Sequence, residues 1–308
     1  MEDRFRFGNR FKPFAYKDRT ALRVLVTGSE GFIGQAQVAT LLEAGHEVRT
    51  FDQRSARHRE WEHIPGDIRD IYALRKAVQD MDAIIHLAAI PNDRYGAEAD
   101  VLDVNVRGTL NVLIAAHEAE IERVVFYSSI NAIGCVGRFG KARYLPVDDF
   151  HPHHPMTPYQ LSKHLGEEAC RSYSERYGMV TACLRPTFVT REDHYAGHWF
   201  PAEEGRWQSY STELFAYVDV RDVCQAGLLA LTAQGFLHAG FLLTADDTGL
   251  PIPTEEAVRR FFPDHPWQQD KTAYLAENPY RSLVDCSQAK CLLGWQPKHS
   301  WRHYVKSS

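Results

Sequence analysis

Apolar residues in this chain fall into short runs separated by longer stretches with a helical period. Arg23-Val24-Leu25-Val26-Thr27 is such a run, ends at a glycine, and predicts a buried strand. A helical stretch over roughly 31–44 follows and is closed by Gly45. The runs 47–51, 82–87, 123–127 and 180–184 predict further strands. Between them, one helix is expected from Val101 to Glu118, with Val106, Leu110 and Leu113 on one face. Another is expected from Pro158 to about Tyr177, with Leu161, Leu165, Ala169 and Tyr173 as its stripe. Strand and helix alternate with short joins, the order of a parallel sheet covered on both faces, a doubly wound α/β fold.

The last third is less regular. Stretches 222–232, 255–262 and 287–293 read as helices and 241–244 as a strand, with no repeat or low-complexity linker. The chain is therefore divided into a basic, aromatic arm (1–20), a dinucleotide-binding part (21–185) and a mainly substrate-capping C-terminal region (186–308), in which 217–244 returns to the first core.

The turn from first strand to first helix reads Thr27-Gly28-Ser29-Glu30-Gly31-Phe32-Ile33-Gly34. Glycines there let the backbone approach a pyrophosphate, and the helix N-terminus supplies free N–H groups. Asp52 ends the second strand, where a carboxylate accepts hydrogen bonds from the adenosine ribose and repels a 2′-phosphate. That combination favours NAD over NADP, although Arg54 and Arg57 stand close enough to keep NADP open. Further on, Thr157 and Pro158 suit the N-cap and first position of a helix that places Tyr159 and Lys163 one turn apart on one face. A tyrosine acts as a base only as phenolate. Its ordinary pKa of about 10 must fall by about 3 units, roughly 4 kcal/mol, and a lysine in open water offers only about 1 kcal/mol. The pair therefore needs desolvation or a second positive charge, which an oxidised nicotinamide would provide.

These motifs, with several others, resemble the extended short-chain dehydrogenases/reductases, the NAD-dependent epimerase/dehydratase group, over roughly residues 22–232. Gly66-Asp67-Ile68 looks like the adenine-contacting segment, His86-Leu87-Ala88-Ala89 like the strand beneath the cofactor, and Asn105 like the central-helix asparagine. Tyr127-Ser128-Ser129 is similar to the strand that delivers a serine, which that alignment makes Ser129. The resemblance implies a Rossmann fold, an NAD cofactor and a homodimer built on the helices near 101–118 and 158–177. It implies that Tyr159 exchanges the proton of a substrate hydroxyl, Lys163 holds the nicotinamide ribose and lowers the tyrosine pKa, and Ser129 hydrogen-bonds the substrate oxygen. Ile130 and Asn131 stand where dehydratases of the group carry an acidic pair, which argues against dehydration. The short stretch from Arg185 to Tyr217 suggests a ligand smaller than a nucleotide sugar, and residues 127–134 look most like the uronate dehydrogenase branch. Ser128, Ser129, Asn131, Thr187 and Arg191 are the substrate candidates, with Thr187 also a nicotinamide candidate and His194 and His198 behind them.

The expected function is an NAD-dependent oxidoreductase moving hydride between a sugar-like or sugar-acid-like hydroxyl and the nicotinamide. The alternatives are an epimerase with no net redox change and a non-catalytic nucleotide sensor. Composition narrows the partners. The 308 residues carry a net charge of -5, so nucleic acid and anionic membrane are not expected partners. No apolar stretch approaches the roughly 18 residues of a membrane span. No two of the six cysteines form a Cys-x-x-Cys pair, and the N-terminus lacks a continuous apolar segment, so a cytoplasmic protein is expected. His151, His153 and His154 read as a surface loop rather than a metal site, Asp246-Asp247 as a turn, and no metal is expected.

Overall fold

The structure, a computed structural model, describes residues 21–56, 61–195, 200 and 203–304. The N-terminal arm, Arg57 and His198 lie outside these. The strands are β1 (Arg23–Thr27), β2 (Glu47–Asp52), β3 (Glu62–Pro65), β4 (Ala83–His86), β5 (Arg123–Tyr127), β6 (Val180–Pro186), β7 (Phe188–Thr190), β8 (Tyr217–Asp219) and β9 (His238–Leu243). Seven of them form one parallel sheet in the order β3-β2-β1-β4-β5-β6-β9, while β7 and β8 pair separately. The order reverses beside β1, which pairs with both β2 and β4. In such sheets the crevice at the carboxyl ends of the strands around that reversal holds the ligand.

The helices are α1 (Phe32–Glu43), α2 (Ile71–Ala77), α3 (Glu98–Leu102), α4 (Gly108–Glu118), α5 (Pro158–Tyr177), α6 (Glu192–Tyr195), α7 (Trp207–Ser211), α8 (Val220–Ala230), α9 (Thr254–Phe261), α10 (Lys271–Ala276) and α11 (Ser287–Leu293). Alternate strand residues feed two cores. Val24, Val26, Ile85, Val125 and Leu184 pack with Val38, Leu41 and Val223. Leu25, Ile84, Val124, Phe126 and Cys183 pack with Leu74, Val112 and Leu113 on the other face.

Two expected helix faces are corrected. The helix expected from 101 starts at Glu98 and is interrupted by a π-helical turn over Asp103–Arg107. The wider turn shifts the register, so that of Val106, Leu110 and Leu113 only Leu113 is buried, and Leu110 is 37% exposed. The span and caps of α5 match the sequence reading: Thr157 Oγ1 accepts from the Gln160 amide at 3.3 Å and Pro158 opens the helix. Its inward face, however, is polar. Gln160, Ser162, Lys163, Glu167 and Ser174 are buried, while Leu161 and Leu165 are exposed.

Candidate active site

The glycine turn stacks closely on β4. Gly28 has φ +71°, and a Cβ there would lie 2.5 Å from the Ala88 amide nitrogen. A Cβ on Gly34 would lie 2.1 Å from the Gly28 carbonyl oxygen, so no side chain fits in the first turn of α1. Gly31 caps that helix without a side-chain acceptor, which leaves first-turn N–H groups for an anion. A cleft of ≈ 820 Å³ opens here, lined by Gly28, Gly31, Phe32, Ile33, Gly34 and Asp52, and continues along Ile68, Leu87, Ala88 and Ala89. Asp52 accepts from the Glu30 amide at 3.0 Å and the Arg54 amide at 2.9 Å. Burial pushes its carboxyl up, but hydrogen bonds from Arg54 and Glu30 outweigh that and hold it below the usual range. It therefore stays a carboxylate at the ribose end of the cleft. Bare backbone, free helix N–H groups and this carboxylate fit a dinucleotide.

The predicted proton-handling groups converge beyond it. Ser129, at the end of β5, accepts from the Asn131 amide at 3.2 Å and from Asn131 Nδ2 at 3.3 Å. Ser129 is also a polar neighbour of the Tyr159 phenol and lowers its pKa, but less than burial raises it. The phenol is pushed up to about 12, with Asp93 a further raising influence. Asp93 also accepts from the Tyr159 amide at 2.7 Å. Lys163 is buried, donates to the Tyr127 carbonyl at 2.7 Å, and lies 5.9 Å from the Tyr159 ring centre. Burial lowers its ammonium to about 8, against the raising influence of Glu167. Burial and Asp93 thus move the phenol away from ionisation, and a further positive charge beside it would bring it back.

Other predicted residues have different surroundings. The Asp67 carboxylate faces Arg69, which donates at 2.6 Å and 2.9 Å, while Gly66, Ile68 and Arg69 line the cleft. Asn105 is buried; its side chain accepts from the Ile90 amide at 2.8 Å and donates to the Ile90 carbonyl and to Ser162 Oγ at 3.0 Å each. It clamps the cleft-lining Ile90 loop to α5. The Ser128 hydroxyl donates to Glu167 at 2.6 Å, so this substrate candidate turns into the protein. Thr187 is buried and donates to the Leu243 carbonyl at 3.2 Å. Arg191 is half-exposed, pairs with Asp193 at 2.6 Å and lies 5.7 Å from the ring centre of Phe32. His194 bonds Thr190 at 3.1 Å.

A buried network beneath the site escaped the sequence reading. Arg185 donates to both oxygens of Glu167 at 2.9 Å and 2.7 Å, and to Asp149 at 3.2 Å. Only the spacing of Glu167, one turn beyond Lys163, hints at it. His151 is buried, accepts from the Arg143 amide at 2.9 Å and bonds the Pro152 carbonyl, which corrects the surface-loop reading. Asp247 is buried too, accepting from Tyr217 at 2.6 Å and Ser300 at 2.7 Å, rather than marking a plain turn. Among the described residues no group of three or more His, Cys, Asp or Glu could hold a metal ion.

The NAD dependent epimerase/dehydratase family profile matches residues 24–238. The chain belongs to that family. It is an extended short-chain dehydrogenase/reductase, an enzyme, and its cofactor is NAD. It is 38% identical over 177 residues to a protein from Methanocaldococcus jannaschii named provisionally as a UDP-glucose 4-epimerase. That match covers 55% of this chain and 56% of the relative, little more than half of each. Among solved structures, a short-chain dehydrogenase/reductase superfamily protein from Agrobacterium tumefaciens with bound NAD superposes with a TM-score of 0.68 at 24% identity, covering 91% of this chain and 94% of that one. Uronate dehydrogenase from the same organism gives 0.66 at 20% identity, covering 93% and 88%. These likenesses establish the fold; members named as epimerases and as dehydrogenases both stand near this family member.

Proposed function

We propose that this enzyme is an NAD-dependent dehydrogenase of a free sugar or comparable polyol, with Ser129, Tyr159 and Lys163 as its catalytic residues. The observation that carries the reading is the buried Lys163 ammonium held 5.9 Å from the Tyr159 ring, with Ser129 as a polar neighbour of that phenol just past the end of β5. Residues 21–185 hold the cofactor through Gly28, Gly31, Phe32, Ile33, Gly34, Asp52, Ile68, Leu87, Ala88 and Ala89; residues 186–308 cap the substrate, with 217–244 returning to the sheet. Bound NAD supplies a hydride acceptor and a positive charge. Ser129 holds the substrate oxygen, aided by Asn131, which bonds the same hydroxyl. Tyr159 takes the hydroxyl proton once its pKa has come down. Lys163, fixed on the Tyr127 carbonyl, orients the ribose and keeps a cation beside the phenol.

The named likeness to a UDP-glucose 4-epimerase supports a second reading, epimerisation with no net redox change. Incubating the protein with NAD and candidate sugars separates the two. Steady accumulation of reduced cofactor is expected; product formed without it, on tightly held cofactor, would establish the epimerase instead.

Leu110, Leu161 and Leu165 lie exposed on α4 and α5, which supports a homodimer closed through those helices. No helix among the described residues is long and apolar enough to cross a membrane. All six cysteines are free thiols and five are buried, which supports the cytoplasmic assignment.

A further inference from the structure

Beside Asn131 lies a second carboxyl group that the reaction above does not use. Glu213 follows α7, and the next two residues, Leu214 and Phe215, adopt left-handed backbone with φ 56° and 55°. Two consecutive strained residues without glycine persist only where the surroundings force them, and such strain gathers at functional sites. The turn brings Glu213 between two spaces. On one side, a Cβ added to Gly137 would stand 3.9 Å from Glu213 Oε1, 3.9 Å from Asn131 Oδ1 and 3.6 Å from Gln160 Nε2. Glu213 thus stands across the Gly137 backbone position from the side chain of Asn131, the residue that bonds Ser129. On the other side it lines a pocket of ≈ 50 Å³ walled by Phe188, Phe200, Tyr210, Phe215 and Leu250.

Two polar groups in this pocket are unmatched. The Tyr210 hydroxyl is buried with no hydrogen-bond partner among the described residues. No described residue pairs with the Glu213 carboxyl, and burial alone pushes it up to about 7. Cys135 is its titratable neighbour, a buried thiol itself pushed up to about 12. Arg206 lies 5.4 Å from the centre of the Tyr210 ring but does not shift Glu213.

We propose that Glu213 and Tyr210 form a specificity subsite that reads one neutral, hydroxyl-bearing substituent of the substrate, of hydroxymethyl size, and that Glu213 rejects substrates carrying a carboxylate or phosphate there. The proposal rests on the sugar reading above. A water occupies about 30 Å³ of liquid, so the pocket takes one small substituent and not a sugar ring. A single hydroxyl completes both groups, donating to the Glu213 carboxylate and accepting from the Tyr210 hydroxyl. A carboxylate in its place has the same size but sets two like charges among aromatic walls. The subsite therefore favours aldoses over the uronates of the branch that the motif around Ser129 resembles.

The test titrates the full-length protein, saturated with reduced NAD so that no hydride can be accepted, with glucose against glucuronate and galactose against galacturonate by calorimetry. Wild type is expected to bind the neutral sugar of at least one pair about tenfold tighter than the uronate. Glu213→Gln should bring that ratio to within about threefold while leaving NAD affinity unchanged, and Tyr210→Phe should weaken the neutral sugar alone by about threefold. In wild type, but not in Glu213→Gln, lowering the pH through about 7 should narrow the ratio as the carboxyl takes up its proton. Tighter binding of the uronate by wild type, binding of neither member of either pair, or a ratio untouched by Glu213→Gln would overturn the proposal. If the expected pattern appears but incubation with oxidised NAD gives no net reduction, only the dehydrogenase reading falls.

Discussion

The stretch up to residue 185 and the stretch beyond the sheet's last crossover are held together by different means. In the first, strand pairing repeats in one register after another, and each strand sends alternate residues to two cores. In the second, single contacts between distant segments prevail. Trp301 Nε1 donates to the Thr248 carbonyl at 2.9 Å, and the Arg302 guanidinium lies 3.9 Å from the centre of the Tyr280 ring. Periodic pairing positions the predicted catalytic residues; on the proposed reading, the aperiodic contacts shape what reaches them. Changes in the first half should therefore remove cofactor binding, catalysis or folding, whereas changes in the cap should redirect selectivity.

The largest effect is expected at Gly34. Its Cβ would lie 2.1 Å from the Gly28 carbonyl oxygen, so Gly34→Ala should abolish measurable NAD binding by calorimetry. Gly45 is the control: a Cβ there meets nothing within 4 Å, so Gly45→Ala carries only left-handed strain, about 1–2 kcal/mol, and should leave NAD affinity intact. Next, Tyr159→Phe should cut kcat by about 10²–10⁴-fold with NAD affinity retained, whereas the cap variant Glu213→Gln should act mainly on KM. Equal kcat losses in both would erase the contrast.

Glu167→Ala leaves the Arg185 guanidinium buried beside only Asp149, and denaturant unfolding should show a loss of about 3–5 kcal/mol. In the cap, Arg302→Ala should lower stability by about 1 kcal/mol. Stability should also depend on pH. Burial lowers His86 to about 3, and burial followed by Arg185 lowers His153 to about 4, both below the ordinary value. The unfolded chain then binds protons first. Their contribution is complete above about pH 6.5 and is lost progressively toward pH 4 and below. A stability profile flat across that window would contradict the buried neutral state of these two rings.

Legibility followed the same division. Arg23–Thr27, Arg123–Tyr127 and the α5 helix could be read residue for residue because burial imposes a period and Thr157-Pro158 marks a start. The glycine turn and Asp52 were legible because a dinucleotide needs bare backbone and a carboxylate at set separations. The inward face of α5 was not legible. A helix that carries Lys163 and Glu167 toward a site buries its polar side, and the apolar stripe at Leu161 and Leu165 turns outward. The π turn at Asn105 shifted the α4 face for a reason that no propensity signals. Ser128 and Arg185 meet Glu167, and Asp149 meets Arg185, from separate segments, and Glu213 and Asn131 come to Gly137 from distant parts of the chain, so no local spacing announces either arrangement. Strand β3 is only four residues long, Glu62-His63-Ile64-Pro65, with no apolar run beyond two residues, which hid it from a search for such runs.

The central claim is that the Tyr159 phenol ionises only when a charged cofactor stands beside it. Ultraviolet difference titration of the protein, with and without saturating NAD and with Tyr159→Phe subtracted, measures this directly. The phenol is predicted to titrate near 12 in the free protein and to fall by several units toward neutrality with NAD bound. A Tyr159 signal that stays near 12 with NAD bound would contradict the account.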